Sequence, residues 1–87
     1  MSSIRLVSAS SGLRALSSLA PGARGTVQRI VAHAGDRADR LLALGVTHGA
    51  PVTVLQTFPG IVFLCDQTEL AVERAVADAI LVKPAEG

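Results

Sequence analysis

The sequence predicts a small, mainly β domain, a closed or partly closed barrel of about five short strands with a short helix inserted at about residues 36–44. Three observations carry this reading. Short aliphatic runs occur at residues 25–32, 51–58, 61–65 and 80–82, the first three separated from one another by glycine or proline. The leucine cluster of residues 40–44 passes through Gly45 and Gly49 into the alternating segment Pro51-Val52-Thr53-Val54, which reads as helix, elbow and strand. Finally, 87 residues leave room for one domain, which at that size buries about 60% of its unfolded surface. With 49% hydrophobic residues and only Phe58 and Phe63 as aromatics, the core has to be built from Leu, Val, Ile and Ala.

Residues 1–12 are rich in serine and present no periodic face, so they are expected to form a flexible tail ahead of a single domain at 13–83. Leu13, Leu16 and Leu19 recur every third residue and run into Pro21-Gly22, the pattern of a helical turn closed by a tight turn. In residues 25–32 the alternation of Val27, Ile30 and Val31 is imperfect, which predicts a bulge. Asp36 is placed to cap the helix, Leu41 and Leu44 share the face expected to turn inward, and Gly45 supplies the left-handed residue that ends it. At about nine residues such a helix is too short to stand alone and must dock on apolar surface.

Along residues 51–58, Val52, Val54 and Gln56 face one way and Thr53, Leu55 and Thr57 the other. Phe58-Pro59-Gly60 breaks that strand, and residues 61–65 resume as a continuous apolar run ending in an Asp66-Gln67 turn. The next segment is ambiguous. Val72, Ala75, Val76, Ala79 and Ile80 fit helical spacing, which pattern alone favours, although residues 69–72 could equally be a strand. Ile80-Leu81-Val82, stopped by Lys83-Pro84, suits a closing edge strand, with residues 84–87 as a short tail.

Eight basic and seven acidic residues give a net charge of +1 with no run of like charge. A nucleic-acid binder needs a basic stripe or stacking aromatics, and this chain has no Trp or Tyr. One cysteine, Cys65, excludes an internal disulfide and a four-cysteine zinc site, and points to a reducing, cytoplasmic compartment. The longest uninterrupted apolar run, residues 61–65, is far below the ~20 residues that span a bilayer, so no membrane insertion is expected. Behind Arg5, the residues Ser8, Ser10, Ser11 and Arg14 interrupt any signal-peptide core. A mean hydropathy of +0.48 in so small a chain predicts apolar area facing a partner or a second copy of the chain.

No serine or cysteine nucleophile comes with a sequence-local base, and Gly45-x-x-x-Gly49 lacks the Lys-Ser/Thr of a phosphate loop, so no catalytic residue and no enzyme is expected. The helix is the better functional candidate. With its inner face turned to the core, Arg37 and Arg40 fall on an outer flank beside Leu42, the chemistry of a modest interface anchor. The competing role for Arg40 is an i, i+4 pair with Asp36, worth about 0.2 to 0.5 kcal/mol.

A longer constellation runs Leu16-x-x-Leu19-x-Pro21-Gly22, Gly25-x-Val27-x-x-Ile30, Arg40-Leu41-Leu42-x-Leu44-Gly45-Val46-x-x-Gly49-x-x-Val52-x-Val54, Leu70-Ala71-Val72 and Ala77-x-x-Ile80-x-Val82. Over residues 13–83 it resembles the ferrous iron transport protein A (FeoA) family. The resemblance implies an SH3-like barrel, a strand at 69–73 and a short helical turn at 74–78. It also implies a small cytoplasmic accessory that binds a membrane ferrous iron permease carrying a GTP-binding domain. Two departures stand out. Glu73-Arg74 occupies a place where a basic residue often follows the strand, and residues 58–66 are more apolar than the commoner charged version.

The iron connection raises metal binding, for which His33, His48, Cys65, Asp66 and Glu69 are the available donors. None has ligand spacing, and Cys65 and Asp66 are too close in sequence to chelate one ion comfortably. His48 reads as a solvated turn residue and Cys65 as a small core hydrophobe. The sequence fixes no cofactor. A divalent transition metal, iron or zinc, belongs to the alternative reading, a metal-sensing domain similar to the C-terminal domain of iron-dependent repressors.

Overall fold

Glycine, proline and aspartate turns cut the chain into short strands that return on one another. The computed structural model describes residues 12–31 and 36–85, without the side chains of 36–38. The elements are β1 (Arg14–Ala15), a 3₁₀ turn (Leu16–Ser18), β2 (Arg24–Ile30), α1 (Asp36–Ala43), β3 (Pro51–Gln56), β4 (Ile61–Cys65), β5 (Thr68–Val72), α2 (Arg74–Asp78) and β6 (Ile80–Pro84). The six strands pair antiparallel in the order β1-β6-β2-β3-β4-β5. The tail expected at 1–12 falls outside the described residues except for Gly12, as does His33. The expected cap by Asp36 lies outside the described side chains.

Leu16, just after β1, shares one buried cluster with Val27 of β2, Val54 of β3, Ile61 and Phe63 of β4 and Val82 of β6. In a flat sheet β1 and β4 would stand about 19 Å apart, four strand spacings. A common core therefore requires the sheet to curl, with inward residues alternating along each strand. The aliphatic composition fills this interior, with Phe63 the largest fully buried side chain and no buried polar or charged side chain among the described residues.

Two of the local expectations change. Gln56 does not continue the buried face of Val52 and Val54. The β3–β4 register shifts between Val54 and Gln56, so the extra residue Leu55 turns Gln56 out opposite Val62. The bulge expected in β2 is present, between Val27 and Arg29. β6 is not an edge strand, because the two-residue β1 pairs along its outer side. Between residues 69 and 80 the strand reading holds first and helix follows. Leu70 and Val72 pair with Phe63 and Ile61 in β5, and α2 then buries Val76 and Ala77. Arg74 Nη2 donates to the Thr57 carbonyl and Ser17 Oγ to the Asp78 carboxylate, tying α2 to the β3–β4 turn and to the 3₁₀ turn.

Candidate interaction groove

The sequence around α1 determines where the site forms. Gly45 adopts φ +96°, its N–H donates to Leu42 O at 3.0 Å, and the Val46 N–H reaches Leu41 O at 2.9 Å. This is the Schellman pattern, in which a left-handed residue lets two backbone donors satisfy carbonyls the helix leaves open. Its hydrophobic clasp is Leu41 against the chain after the turn, and both Leu41 and Val46 lie in the core.

That clasp corrects the expectation for Leu44. Leu41 is 3% exposed, but Leu44 is 46% exposed. Val46, returning beneath the helix, fills the inward position that spacing alone gives to Leu44. At 100° per residue, Arg40 and Leu44 lie on one flank of Leu41 and Leu42 on the other. The two flanks meet different neighbours. Arg40 and Leu44 border a groove of about 240 Å³ whose far wall is Leu70 and Val72 of β5 and Val76 of α2. Leu42, 50% exposed, borders a separate hollow with Ile30, Val46 and His48. The expected patch of Arg37, Arg40 and Leu42 is thus divided across the helix, and the Arg37 side chain lies outside those described.

The groove is walled by aliphatic side chains, with Arg40 and Glu73 at its margin. Along it runs β5, the last strand of the sheet order, hydrogen-bonded among the described strands only to β4. Such a site can receive an apolar side chain and offer backbone groups to an extended segment. Spacing hid the groove because its walls come from segments some thirty residues apart. The family resemblance implies a strand at Leu70-Ala71-Val72, where pattern alone favours helix, and only the fold places it opposite Leu44. The other strongly exposed apolar side chains among those described are Leu55, 43% exposed on the β3 bulge, and Phe58, 81% exposed at the β3–β4 turn.

The metal candidates among the described residues do not assemble. Cys65 is buried, its Sγ donating to the Gly45 carbonyl at 3.6 Å. Burial, and then the charge of Asp66, push its thiol above the ordinary range, which disfavours the thiolate a metal requires. His48, Asp66 and Glu69 are exposed, and among the described residues no three His, Cys, Asp or Glu side chains group as a metal site would need. The residues described do not fit a resident metal. Among the described residues, no helix is long and apolar enough to cross a membrane.

A model of the FeoA domain matches residues 14–84. Among solved structures, the FeoA protein of Chlorobium tepidum is 32% identical with TM-score 0.75, over 83% of this chain and 70% of that one. The zinc complex of FeoA from Stenotrophomonas maltophilia is 25% identical with TM-score 0.69, over 77% of this chain and 86% of that one. That protein is described as an SH3 domain protein and a candidate activating factor of bacterial ferrous iron transport. A manganese-dependent transcriptional repressor shares the fold, with 24% identity and TM-score 0.77 over 84% of this chain but 42% of its own. No curated protein matches the chain in sequence. The SH3-like fold implied by the sequence motifs is the fold observed.

Proposed function

The chain belongs to the FeoA domain family, and from that premise we propose that it is a small cytoplasmic accessory of ferrous iron uptake. It acts as an interaction module on the cytoplasmic, GTP-binding region of a membrane ferrous iron permease. The observation that carries this reading is the aliphatic groove between α1 and β5, with Leu44 standing half-exposed at its lip. A folded domain leaves such a side chain open at some cost in solubility, and a partner's apolar residue covers it. No catalytic group is needed, because docking alone biases a partner that has two states. Immobilised chain should retain the permease's cytoplasmic region from solution, and Leu44→Glu should abolish retention without unfolding the domain. Failure of the unaltered chain to retain it contradicts the proposal.

A second reading, a transition-metal-binding domain, is favoured by the zinc held by the Stenotrophomonas maltophilia neighbour. The donor arrangement among the described residues speaks against it. Calorimetric titration with zinc or ferrous ion separates the two. Micromolar or tighter binding that is lost in His48→Ala or Cys65→Ser supports the metal reading, and heats unaffected by both substitutions remove it.

A further inference from the structure

The outer face of β2, β3, β4 and β5 is laid out by charge in a way that the groove does not use. Inward positions alternate with outward ones along each strand, so Arg24 and Thr26 of β2, Thr53 of β3, Val62 and Leu64 of β4 and Glu69 of β5 all face outward. Register aligns them in rows. Arg24 pairs with Thr53, Thr53 with Leu64, and Leu64 with Glu69, giving one row that runs from a cation through a hydroxyl and an aliphatic to an anion. In the row toward one end of the strands, Lys83 of β6 pairs with Thr26 and Thr26 with Pro51, beside whose carbonyl Asp66 places its backbone N–H at 2.9 Å. In the row toward the other end, Gln56, beside the Leu55 bulge, pairs with Val62 and Val62 with exposed Ala71. The face is therefore cationic on one flank, mixed polar and aliphatic in the middle and anionic on the other. Arg24, Lys83, Asp66 and Glu69 are all exposed, and among the described residues none of these four side chains forms an ion pair.

We infer that this face is a self-association surface that takes a second copy of the chain. A two-fold axis parallel to the strands exchanges left and right. It sets Arg24 of one copy against Glu69 of the other, twice, while Leu64 and Val62 meet Thr53 and the Leu55-Gln56 bulge at the centre. The interface is isologous and closes at two. Curling of the sheet makes the face convex, so its flanks fall away from the partner. Long charged side chains bridge that widening gap, and the central ridge makes the direct contact. The footprint is small. Three strand spacings by four residues give about 15 Å by 13 Å, roughly 200 Å², a quarter of the ~800 Å² per partner of a stable dimer. The dimer is accordingly weak, with a dissociation constant of about 0.1 to 1 mM.

Sedimentation equilibrium on the full chain up to about 1 mM tests this, with Arg24→Glu, Glu69→Arg and the two combined. Each single reversal should suppress association up to about 1 mM, and the double reversal should restore a dissociation constant within about threefold of the unaltered chain. Because the pairs sit at an exposed rim, raising salt from about 50 to 500 mM should weaken the unaltered dimer as well. Circular dichroism checks that each variant keeps its fold. The inference is overturned if the unaltered chain stays monomeric at 1 mM, if a dimer forms whose strength ignores salt, or if the double reversal associates no better than the singles.

Discussion

The Val46 N–H donates to the Leu41 carbonyl at 2.9 Å across Gly45, and the side chains of the same two residues lie together in the core. Backbone closure and side-chain burial thus fix α1 in one step. A Cβ added at Gly45 would meet nothing within 4 Å, so the requirement there is conformational and not steric. Gly45→Ala should destabilise the domain by about 1 to 2 kcal/mol, the cost of holding an L-residue left-handed, and Gly45→Asn by less. Urea unfolding of the two variants checks the order.

Leu41 and Leu44 look equivalent in spacing but not in place. Leu41→Ala removes a buried side chain and should cost about 2 to 5 kcal/mol. Leu44→Ala, at a half-exposed position, should cost well under half as much. Equal losses in denaturant midpoint would mean that Leu44 is packed and the groove closed.

Gly25 is constrained by space. A Cβ there would sit 2.5 Å from the Lys83 carbonyl oxygen and 2.6 Å from Val82 Cγ1, where β6 crosses β2. Backbone cannot move aside as a flexible side chain can, so Gly25→Ala should destabilise by about 2 to 3 kcal/mol. That is more than Gly45→Ala, although both replace glycine by alanine. Thermal unfolding of the pair measures the difference.

Cys65 makes stability depend on alkaline pH. Folding raises its thiol pKa, first by burial and then through Asp66. The unfolded thiol titrates near about 8.5. Below that value both states hold the proton and the contribution is fully present. Above it the unfolded chain ionises while the fold resists, so stability declines until the folded thiol itself titrates. Urea midpoints should fall between about pH 8 and 10, and Cys65→Ala should flatten that fall. An unchanged slope would place the alkaline sensitivity elsewhere.

β2, β3, β4, β6 and α1 are legible because each carries its own punctuation. The two-residue β1 lies in a segment whose spacing reads as a helical turn, and β5 in one whose spacing favours helix. Gly45, Pro59-Gly60 and Asp66-Gln67 mark ends, and β-branched alternation marks faces. What depends on one residue of register was less legible. The Leu55 bulge that turns Gln56 outward has no local sequence mark, and Leu44 yields its inward place to Val46 only after the chain has turned. Residues 69–80 fit two periods at once, and pairing of Leu70 and Val72 with Phe63 and Ile61 decides between them. The groove is a tertiary object, since neither Leu44 nor Leu70 announces the other. Arg40 and Leu42 were each correctly exposed, but adjacency in sequence put them on opposite flanks.

The central claim is that the α1–β5 groove is the docking site, and a quantitative binding measurement against the permease's cytoplasmic GTP-binding region tests it most directly. Titrations of the unaltered chain, Leu44→Glu and Leu42→Glu should show measurable affinity for the first, a loss of at least about tenfold for the second and a smaller change for the third. Equal affinity of the unaltered and Leu44→Glu chains, both folded, would contradict the account.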